Sequence, residues 1–230
     1  MSTIAPKELE HYYALNRCAW ALLAPVYDAM TFMLRGLRHT VVDVVAPSSD
    51  ARVLDLATGT GAQAAAFAER CRNVVGVDLN PSMLRVARKK RHAPNLQFVQ
   101  ADASSLTFAD ASFDVTCISF GLHEMPPVIR TRVLAEARRV TREQGRVAIV
   151  DYSLPANAWG RSIVFHLVKL YEGEVYADFV RSDLASALAA AGLVVERAVS
   201  VGRGTARITI ARRTTASEDI RQAPRGPAPE

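Results

Sequence analysis

The chain has 230 residues, of which 50% are hydrophobic and 22% charged, so it can bury one sizeable core and we expect a single folded body. Its three cysteines are scattered and odd in number, which argues against a disulfide framework or a zinc knuckle and predicts a cytoplasmic protein. The net charge of +5 is spread over predicted helix faces, and this pattern leaves peripheral contact with an anionic membrane surface open.

Residues 8–45 have a helical pattern, with apolar positions at helical spacing on both sides of a break at Pro25. The most apolar stretch, residues 18–34, contains Pro25 and Asp28 and falls short of the roughly 20 uninterrupted apolar residues that a membrane span requires. The start of the chain has neither the basic nor the apolar segment of a secretory signal. We therefore predict that residues 1–45 form an N-terminal helical cap or lid.

Short apolar runs alternate with helical patterns from residue 52 onward, which is typical of βαβ units and a parallel sheet. Asn80 and Pro81 mark the start of one helix, because asparagine caps free amides and proline fits the first helical position. The predicted strands lie at residues 52–56, 73–78, 96–100, 113–119 and 146–152. The predicted helices between them lie at residues 61–70, from residue 81 onward, and at residues 127–140.

The end of the chain predicts a different arrangement. A further helix is expected to end at Gly192, and two apolar runs follow at residues 193–201 and 206–213, separated by a glycine-containing turn. This pattern predicts a terminal antiparallel hairpin. Residues 214–230 are polar and rich in proline, which predicts a disordered tail. The whole pattern predicts a Rossmann-like α/β domain at residues 46–213, with a mostly parallel sheet of seven strands.

A glycine-bearing turn follows the first predicted strand, at the edge where open α/β sheets bind ligands. Gly59 and Gly61 lack side chains, so the backbone there can approach a cofactor closely. Asp78 comes 19 residues after Gly59, the separation of an acid that binds ribose hydroxyls in such folds. With Ala64, however, the two glycines also satisfy the fingerprint of nicotinamide-binding domains. The turn alone therefore leaves two classes of cofactor open.

Three neighbouring features distinguish between these classes. Asp55 places a carboxylate at the end of the first strand, where it suits an ammonium group and disfavours a pyrophosphate. Asp102 follows the third strand and offers an acceptor where an adenine amino group would lie. The terminal hairpin is the third feature. Either acid alone could simply cap its own loop, but their joint occurrence favours a cofactor with an amino-acid end over a dinucleotide.

Four segments carry a family resemblance: VLDLATGTG, VVGVDLNPSMLRVAR, FVQADASSLTFADASFDVTCISFGL and EARRVTREQGRVAIVDYSLP. They resemble the ubiquinone/menaquinone-biosynthesis C-methyltransferase family and related small bacterial methyltransferases, over about residues 26–155. Residues 27–30, Tyr-Asp-Ala-Met, are similar to that family's N-terminal segment, which lies over the cofactor site. The resemblance implies a class I methyltransferase that uses S-adenosylmethionine (SAM) and releases S-adenosylhomocysteine (SAH).

The resemblance also implies which residues bind the cofactor. They are Asp55, Ala57 and Gly59 at the methionine end, Asp78 at the ribose, Leu79 and Met83 at the adenosine, Asp102 and Ala103 at the adenine, and Ser119 near the sulfonium, with Tyr27, Thr58 and Gly61 in the same site.

Residues 123–126, His-Glu-Met-Pro, depart from the Arg-Asn that the quinone enzymes carry at this point, and the longer Tyr-rich insertion after the fifth strand is missing. This arrangement is similar to a broad set of small bacterial methyltransferases with varied acceptors. We predict a small, apolar or lipid-like acceptor, of quinol type or another kind. It would enter between the N-terminal helices and residues 154–180.

His123 follows the fourth strand, and because an imidazole titrates near neutral pH, we predict that it is a catalytic base or orients the acceptor. The alternative is a histidine that only packs in the pocket wall. Further pocket candidates are Glu124, Tyr152, His166, Tyr171, Glu174 and Tyr176.

The remaining predictions concern partners and competing functions. No histidine has metal-ligand spacing, so no metal is predicted, and no basic stripe with aromatic residues indicates nucleic-acid binding. Two alternatives stay open beside the methyltransferase: a SAM-binding partner protein without catalysis, and an NAD(P)-dependent oxidoreductase.

Overall fold

The computed structural model describes residues 6–154, 161–162, 165–166 and 174–214. Its centre is a seven-stranded sheet. The strands are β1 (Arg52–Leu56), β2 (Asn73–Asp78), β3 (Leu96–Gln100), β4 (Phe113–Ser119), β5 (Thr141–Tyr152), β6 (Leu193–Val201) and β7 (Ala206–Arg213). Their order across the sheet is β3-β2-β1-β4-β5-β7-β6, and only β7 pairs antiparallel with its neighbours. The predicted mostly parallel sheet with a terminal antiparallel hairpin is confirmed.

Helices connect the strands and precede the sheet. They are α1 (Pro6–Leu23), α2 (Tyr27–Met30), α3 (Arg35–Val45), α4 (Ala62–Ala68), α5 (Pro81–Lys90), α6 (Pro127–Val140), α7 (Glu174–Arg181) and α8 (Leu184–Ala190). Short 3₁₀ turns lie at Phe32–Leu34, Leu122–Glu124 and Gly202–Gly204.

Both faces of the central strands β1, β2 and β4 are covered, which explains why these strands are largely apolar. Successive side chains of a strand point to opposite faces. Val53 packs in one buried cluster with residues of α3 and α4, whereas Leu54 and Leu56 pack in the other with residues of α6. The core therefore has two layers, one on each side of the sheet.

The N-terminal segment is divided between the core and the outside of the sheet. Val41, Val42 and Val45 of α3 are buried in the same cluster as the sheet, and Arg146 of β5 donates a hydrogen bond to the Val45 carbonyl at 3.2 Å. α3 is therefore built into the body of the protein, while α1 lies against α5. The division into a cap at residues 1–45 and a following domain stays a prediction.

β5 is longer than the predicted strand, which began at residue 146. It starts at Thr141, whose hydroxyl meets the buried Thr116 hydroxyl at 2.7 Å. The pairing with β4 shifts register between Phe113 and Val115, a bulge that accommodates the polar residues 141–145. Tertiary pairing thus imposes a strand on a polar segment that has no strand pattern of its own.

The predicted tail begins one residue too early. Thr214 is buried, and its backbone amide donates to the Gly192 carbonyl at 3.0 Å. Residues 215–230 lie outside the described residues, so the rest of the tail stays a prediction. In the part of the chain that the structure describes, no helix is both long enough and apolar enough to cross a bilayer.

Candidate cofactor and acceptor site

The turn after β1 has an unusual backbone. Ala57, Gly59 and Gly61 all have left-handed conformations, with φ of +53°, +56° and +74°. Such a conformation costs a residue with a side chain about 1 to 3 kcal/mol, so the surrounding structure must hold Ala57 in place. One such constraint is the Thr58 amide, which donates to the Val77 carbonyl of β2 at 2.9 Å. The turn therefore presents a fixed backbone edge at the carboxyl ends of the central strands.

Asp55 lies beneath this turn and is almost fully enclosed, with 1% of its surface exposed. Its Oδ2 accepts a hydrogen bond from the Thr58 hydroxyl at 2.5 Å, while Oδ1 accepts none of normal geometry from the described residues. Burial raises the pKa of Asp55 to about 7, because a desolvated carboxyl resists ionisation. A buried acceptor of this kind suits a cationic hydrogen-bond donor.

Asp78 ends β2 and organises two loops. Its Oδ2 accepts a hydrogen bond from the Gly59 amide at 2.7 Å, and its Oδ1 accepts one from the Asn80 amide at 2.8 Å. Burial raises the pKa of Asp78, although these amides favour the ionised form and oppose that rise. Asp78 therefore fixes the glycine turn as well as facing the cavity beside it.

Asp102 connects the sheet to α1. Its Oδ2 accepts a hydrogen bond from the Tyr13 hydroxyl at 2.7 Å, and its Oδ1 accepts one from the Ser104 amide at 2.8 Å. A second bond to α1 runs from the Asn80 side-chain amide to the Asn16 carbonyl at 2.6 Å. Two hydrogen bonds thus hold α1 across the ends of β2 and β3.

A cavity in two parts opens at this edge of the sheet. Tyr27, Ala57, Gly59 and Phe120 line both parts and separate them. Phe120 also has a left-handed backbone, with φ of +52°. The residues that directly follow β1 and β4, Ala57 and Phe120, are therefore both strained. The free space is about 70 Å³ in the larger part and about 50 Å³ in the smaller, well below the roughly 300 Å³ or more of most ligand sites, so the cavity has to widen to admit a whole ligand.

The structure brings nearly all of the predicted cofactor residues to this cavity. The larger part is lined by Asp78, Leu79, Met83, Asp102 and Ala103, the smaller part by Asp55, Thr58 and Ser119, and both parts by Tyr27, Ala57 and Gly59. Gly61 lines neither part. A Cβ at Gly61 would lie 2.4 Å from the ring of Phe98, so this glycine makes room for a packed ring and not for a ligand.

The sequence analysis missed several residues of the cavity wall. Tyr12, Asn16 and Trp20 of α1 line the larger part, and Arg38 of α3 lines the smaller part next to Asp55. The four-residue spacing of the first three places them on one face of a helix and is a signal that the sequence did contain. Arg38 gave no such signal, because a single arginine on a helix usually faces solvent.

His123 lies deeper than the sequence analysis predicted. Its side chain is 2% exposed and does not line either part of the cavity. His123 therefore does not contact the space where an acceptor would bind. Nδ1 lies 2.7 Å from Oδ1 of Asp151, and the His123 amide donates to the other carboxylate oxygen at 3.2 Å. Nε2 lies 3.8 Å from a carboxylate oxygen of Glu124, which does line the larger part.

Arg130 of α6 fixes the turn that carries His123. Its guanidinium donates to the carbonyls of Leu122 and Met125, at 3.2 and 3.0 Å, and to the Asp178 carboxylate of α7 at 3.3 Å. It also lies 5.0 Å above the centre of the Phe179 ring. One buried cation therefore joins the turn to α7.

The other pocket candidates fall into two groups. Tyr152 and Tyr176 form an aromatic wall with Phe120. The ring centre of Tyr152 lies 5.3 Å from that of Phe120 and 5.5 Å from that of Tyr176. His166 is exposed, and its Nδ1 lies 2.8 Å from the Ser162 carbonyl. Tyr171 and the side chain of Glu174 lie outside the described residues. No group of three metal-ligating side chains occurs in the described ranges, and the absence of a metal stays a prediction.

Comparison with known proteins connects this geometry to a family. A methyltransferase domain matches residues 53–145. An uncharacterized methyltransferase of Synechocystis is 32% identical over 170 residues, which cover 73% of this chain and 78% of that protein. Among solved structures, a TehB-like SAM-dependent methyltransferase of Corynebacterium glutamicum has a TM-score of 0.60 at 19% identity, over 83% of this chain and 98% of that one.

Relatives with a named substrate match a shorter stretch. A demethylmenaquinone methyltransferase of Renibacterium salmoninarum is 38% identical over 138 residues, which cover 58% of this chain. The match spans only about half of that relative, 56% of its length. The shared stretch therefore relates the two chains over part of their lengths.

Proposed function

This chain belongs to the class I SAM-dependent methyltransferases, and from that membership we propose that it transfers the methyl group of SAM to a small, apolar acceptor of the quinol type. One observation carries the proposal. Asp55, Asp78 and Asp102 lie at the carboxyl ends of three adjacent strands and line a single two-part cavity. Among the described residues, no Lys or Arg lines its larger part, so that part does not suit a pyrophosphate.

The smaller part fits the amino-acid end of SAM. Asp55 offers a buried carboxylate oxygen to an ammonium, and Arg38 lines the same part and offers a guanidinium to a carboxylate. The two charges of an amino acid would thus each meet an opposite charge. Gly59 lies between the two parts, and a Cβ there would meet the ring of Tyr27 only at an ordinary contact distance of 4.0 Å.

The larger part fits the adenosine end. Asp78 would accept hydrogen bonds from ribose hydroxyls, and Asp102 would accept one from the adenine amino group. Leu79 and Met83 add apolar surface for the flat base. In this arrangement Asp102 has three partners, which are the base, Tyr13 of α1 and the Ser104 amide.

When bound, SAM supplies a methyl group on a sulfonium. The acceptor takes this methyl group by in-line displacement, and SAH is the leaving group. The chain then has to hold the acceptor in line and exclude water, effects that contribute roughly 7 to 11 kcal/mol when the geometry is right. Apolar side chains of the larger part, Met125, Ile129 and Val133, and the strained Phe120 provide the dry wall that this requires.

Glu124 is the group that would hold the acceptor's proton, because it is an acidic residue that lines the larger part next to the apolar wall. His123, 3.8 Å away and backed by Asp151, would orient that carboxylate. His123 is thus a positioning residue in this proposal. Names of relatives support a quinol acceptor, since a demethylmenaquinone methyltransferase shares 38% identity with this chain. Other small apolar acceptors meet the same wall.

Calorimetry and turnover test the proposal together. We expect SAH to bind and NADH to bind at least tenfold more weakly, because Asp55 and Asp78 disfavour a pyrophosphate. A reduced demethylmenaquinone analogue with a short tail should then gain one methyl group from SAM. Tighter binding of NADH than of SAH would exclude the cofactor assignment. SAH binding without turnover of any acceptor in a panel of quinols, phenols and amines would favour the alternative of a non-catalytic SAM-binding partner protein.

Replacing Asp78 by alanine should weaken SAH binding by about 1.5 to 3 kcal/mol, because a charge-assisted hydrogen bond to the ribose is lost. The same change removes the acceptor for the Gly59 and Asn80 amides, so the melting temperature of the free protein should also fall. Titration calorimetry and thermal unfolding measure the two effects. Asp50→Ala is the control, since that aspartate is exposed and outside the cavity. Unchanged SAH affinity in Asp78→Ala would mean that Asp78 only holds its loops.

Deleting residues 1–24 should leave a folded protein with at least tenfold weaker SAH binding and little turnover. The sheet and α3 keep their core, whereas Tyr12, Asn16 and Trp20 leave the cavity wall and two hydrogen bonds across β2 and β3 are lost. Circular dichroism checks the fold, and Tyr13→Phe, which removes one of these bonds, should show a smaller loss. Full turnover by the truncated protein would contradict a lid role for α1.

A further inference from the structure

The end of α1 and the connection from it to α3 expose large apolar side chains. Leu22 is 81% exposed, Val26 50% and Phe32 59%. Apolar residues exposed singly are common on soluble proteins, but these three lie within eleven residues of one another. We call residues 22–32 the apolar lip.

The apolar lip lies at the cavity. Tyr27, in its middle, lines both parts of the cavity, and its ring packs edge-on against Trp20 at 5.7 Å between centres. The next residue, Asp28, accepts hydrogen bonds from Thr60 at 2.5 Å and from Arg91 at 2.7 Å. The lip therefore combines residues that are fixed to the site with neighbours that face solvent.

Cations surround the apolar lip. The Arg35 guanidinium lies 5.5 Å above the centre of the Phe32 ring. Asp28 joins the lip to the basic end of α5 through ion pairs with Lys90 and Arg91, at 3.1 and 2.7 Å. One carboxylate thus faces two cations, and Lys89 is exposed beside them. The surroundings of the lip keep an excess of positive charge.

We propose that the apolar lip docks on an anionic lipid bilayer, with Leu22, Val26 and Phe32 entering the interface and the basic end of α5 contacting the lipid headgroups. Apolar side chains beside cations are the combination that binds such surfaces. A second copy of this chain is a poorer occupant, because a symmetric contact would bring two surfaces with the same excess of positive charge together. Docking on a bilayer does not depend on the proposed function. The further idea that the bilayer delivers the acceptor to the cavity does rest on the proposed function.

Co-sedimentation of the full chain with vesicles tests the docking without cofactor or turnover. We expect binding to vesicles of phosphatidylcholine with roughly a third phosphatidylglycerol, and weaker binding as salt rises, because each cation near the surface contributes about fivefold. The double variant Leu22→Ser/Phe32→Ser should bind at least tenfold more weakly, since both apolar contacts are lost. Val99→Ser/Val195→Ser is the matched control, because these valines are also exposed but lie on the sheet edges.

A second pair of variants tests the charge independently of the apolar contacts. Arg35→Glu/Lys89→Glu should lose anionic-vesicle binding about tenfold or more, whereas Arg72→Glu, at an exposed site before β2, should bind within twofold of the parent. Equal loss in the control variants, or equal binding to neutral phosphatidylcholine vesicles, would overturn the proposal. Light scattering measures the alternative of a second copy. A dimer that dissociates in Phe32→Ser, with vesicle binding unchanged, would also overturn the proposal. Turnover of a short-tail acceptor should be the same in parent and lip variants, so failure of docking is distinguishable from failure of methyl transfer.

Discussion

Replacing Asp55 by asparagine should weaken SAH binding about 100-fold at pH 8, because the change removes the charge that faces the ligand's ammonium and keeps the shape of the side chain. The Oδ1 atom of Asp55 is buried and accepts no hydrogen bond of normal geometry from the described residues. Titration calorimetry with SAH measures the loss. Asp50→Asn, an exposed aspartate outside the cavity, is the control and should bind SAH like the parent.

The same substitution should stabilise the free protein at neutral and higher pH. Burial raises the pKa of Asp55 to about 7, above its ordinary value of 3.8, so the folded protein favours the protonated carboxyl. The contribution of Asp55 to stability is therefore present at low pH and is lost as the pH rises towards 7. Asp55→Asn removes this loss, and we expect it to raise the free energy of unfolding by about 2 to 4 kcal/mol at pH 8.

Binding should show the opposite pH dependence. The ammonium group of SAH needs the ionised form of Asp55, so the parent should bind SAH about 30-fold more tightly at pH 8 than at pH 5.5. Asp55→Asn should abolish most of this dependence. A parent whose affinity does not change with pH, or a variant that binds as tightly as the parent, would contradict the assignment of Asp55 to the ammonium.

Replacing His123 by asparagine should lower kcat by about 10- to 100-fold while leaving SAH affinity unchanged, because the acceptor's proton would be held by a poorly oriented Glu124. Asparagine can still donate to Asp151, as the Nδ1 side of the histidine does at 2.7 Å. The buried carboxylate then keeps a partner. Replacement by alanine would leave the carboxylate with only the backbone amides of His123 and Tyr152 as donors, at 3.2 and 2.8 Å, and should lower the free energy of unfolding by about 1 to 3 kcal/mol.

The pH profile of kcat distinguishes the possible roles of His123. If His123 positions Glu124, His123→Asn keeps an acidic limb in the profile and Glu124→Gln removes it. If His123 is itself the base, His123→Asn removes the limb and about 10²- to 10⁴-fold in rate. His166→Asn, at an exposed histidine, is the control. An unchanged kcat in His123→Asn would assign His123 to packing and end both proposals.

The parallel part of the sheet could be predicted from sequence because helices cover both of its faces. The central strands β1, β2 and β4 are largely apolar runs, and the turns that follow them carry specific signals. Asn80 is one: its side chain accepts hydrogen bonds from the Ser82 and Met83 amides at 2.8 and 3.3 Å, as a cap before Pro81 should. Local chemistry fixes such positions, so the sequence alone contains them.

Other parts depend on contacts between distant residues. The first five residues of β5 are Thr-Arg-Glu-Gln-Gly and gain their strand conformation only by pairing with β4. In the site, the spacing from Gly59 predicts where Asp78 lies, but nothing local predicts that Asp151 meets His123 from 28 residues away. That contact buries His123 behind the cavity wall. The difference between a base and a buried partner is therefore visible only in three dimensions.

The slot that holds Phe98 couples the glycine turn to the edge of the sheet. A Cβ at Gly61 would lie 2.4 Å from this ring, and one at Gly76 would lie 2.8 Å from it. Phe98 belongs to β3, which has a neighbour on only one side. Because the ring can leave its slot only if the strand or the turn opens, the two should open as one cooperative unit in native-state hydrogen exchange. A ligand that binds the turn would then slow amide exchange in β3, although Phe98 of that edge strand lines neither part of the cavity.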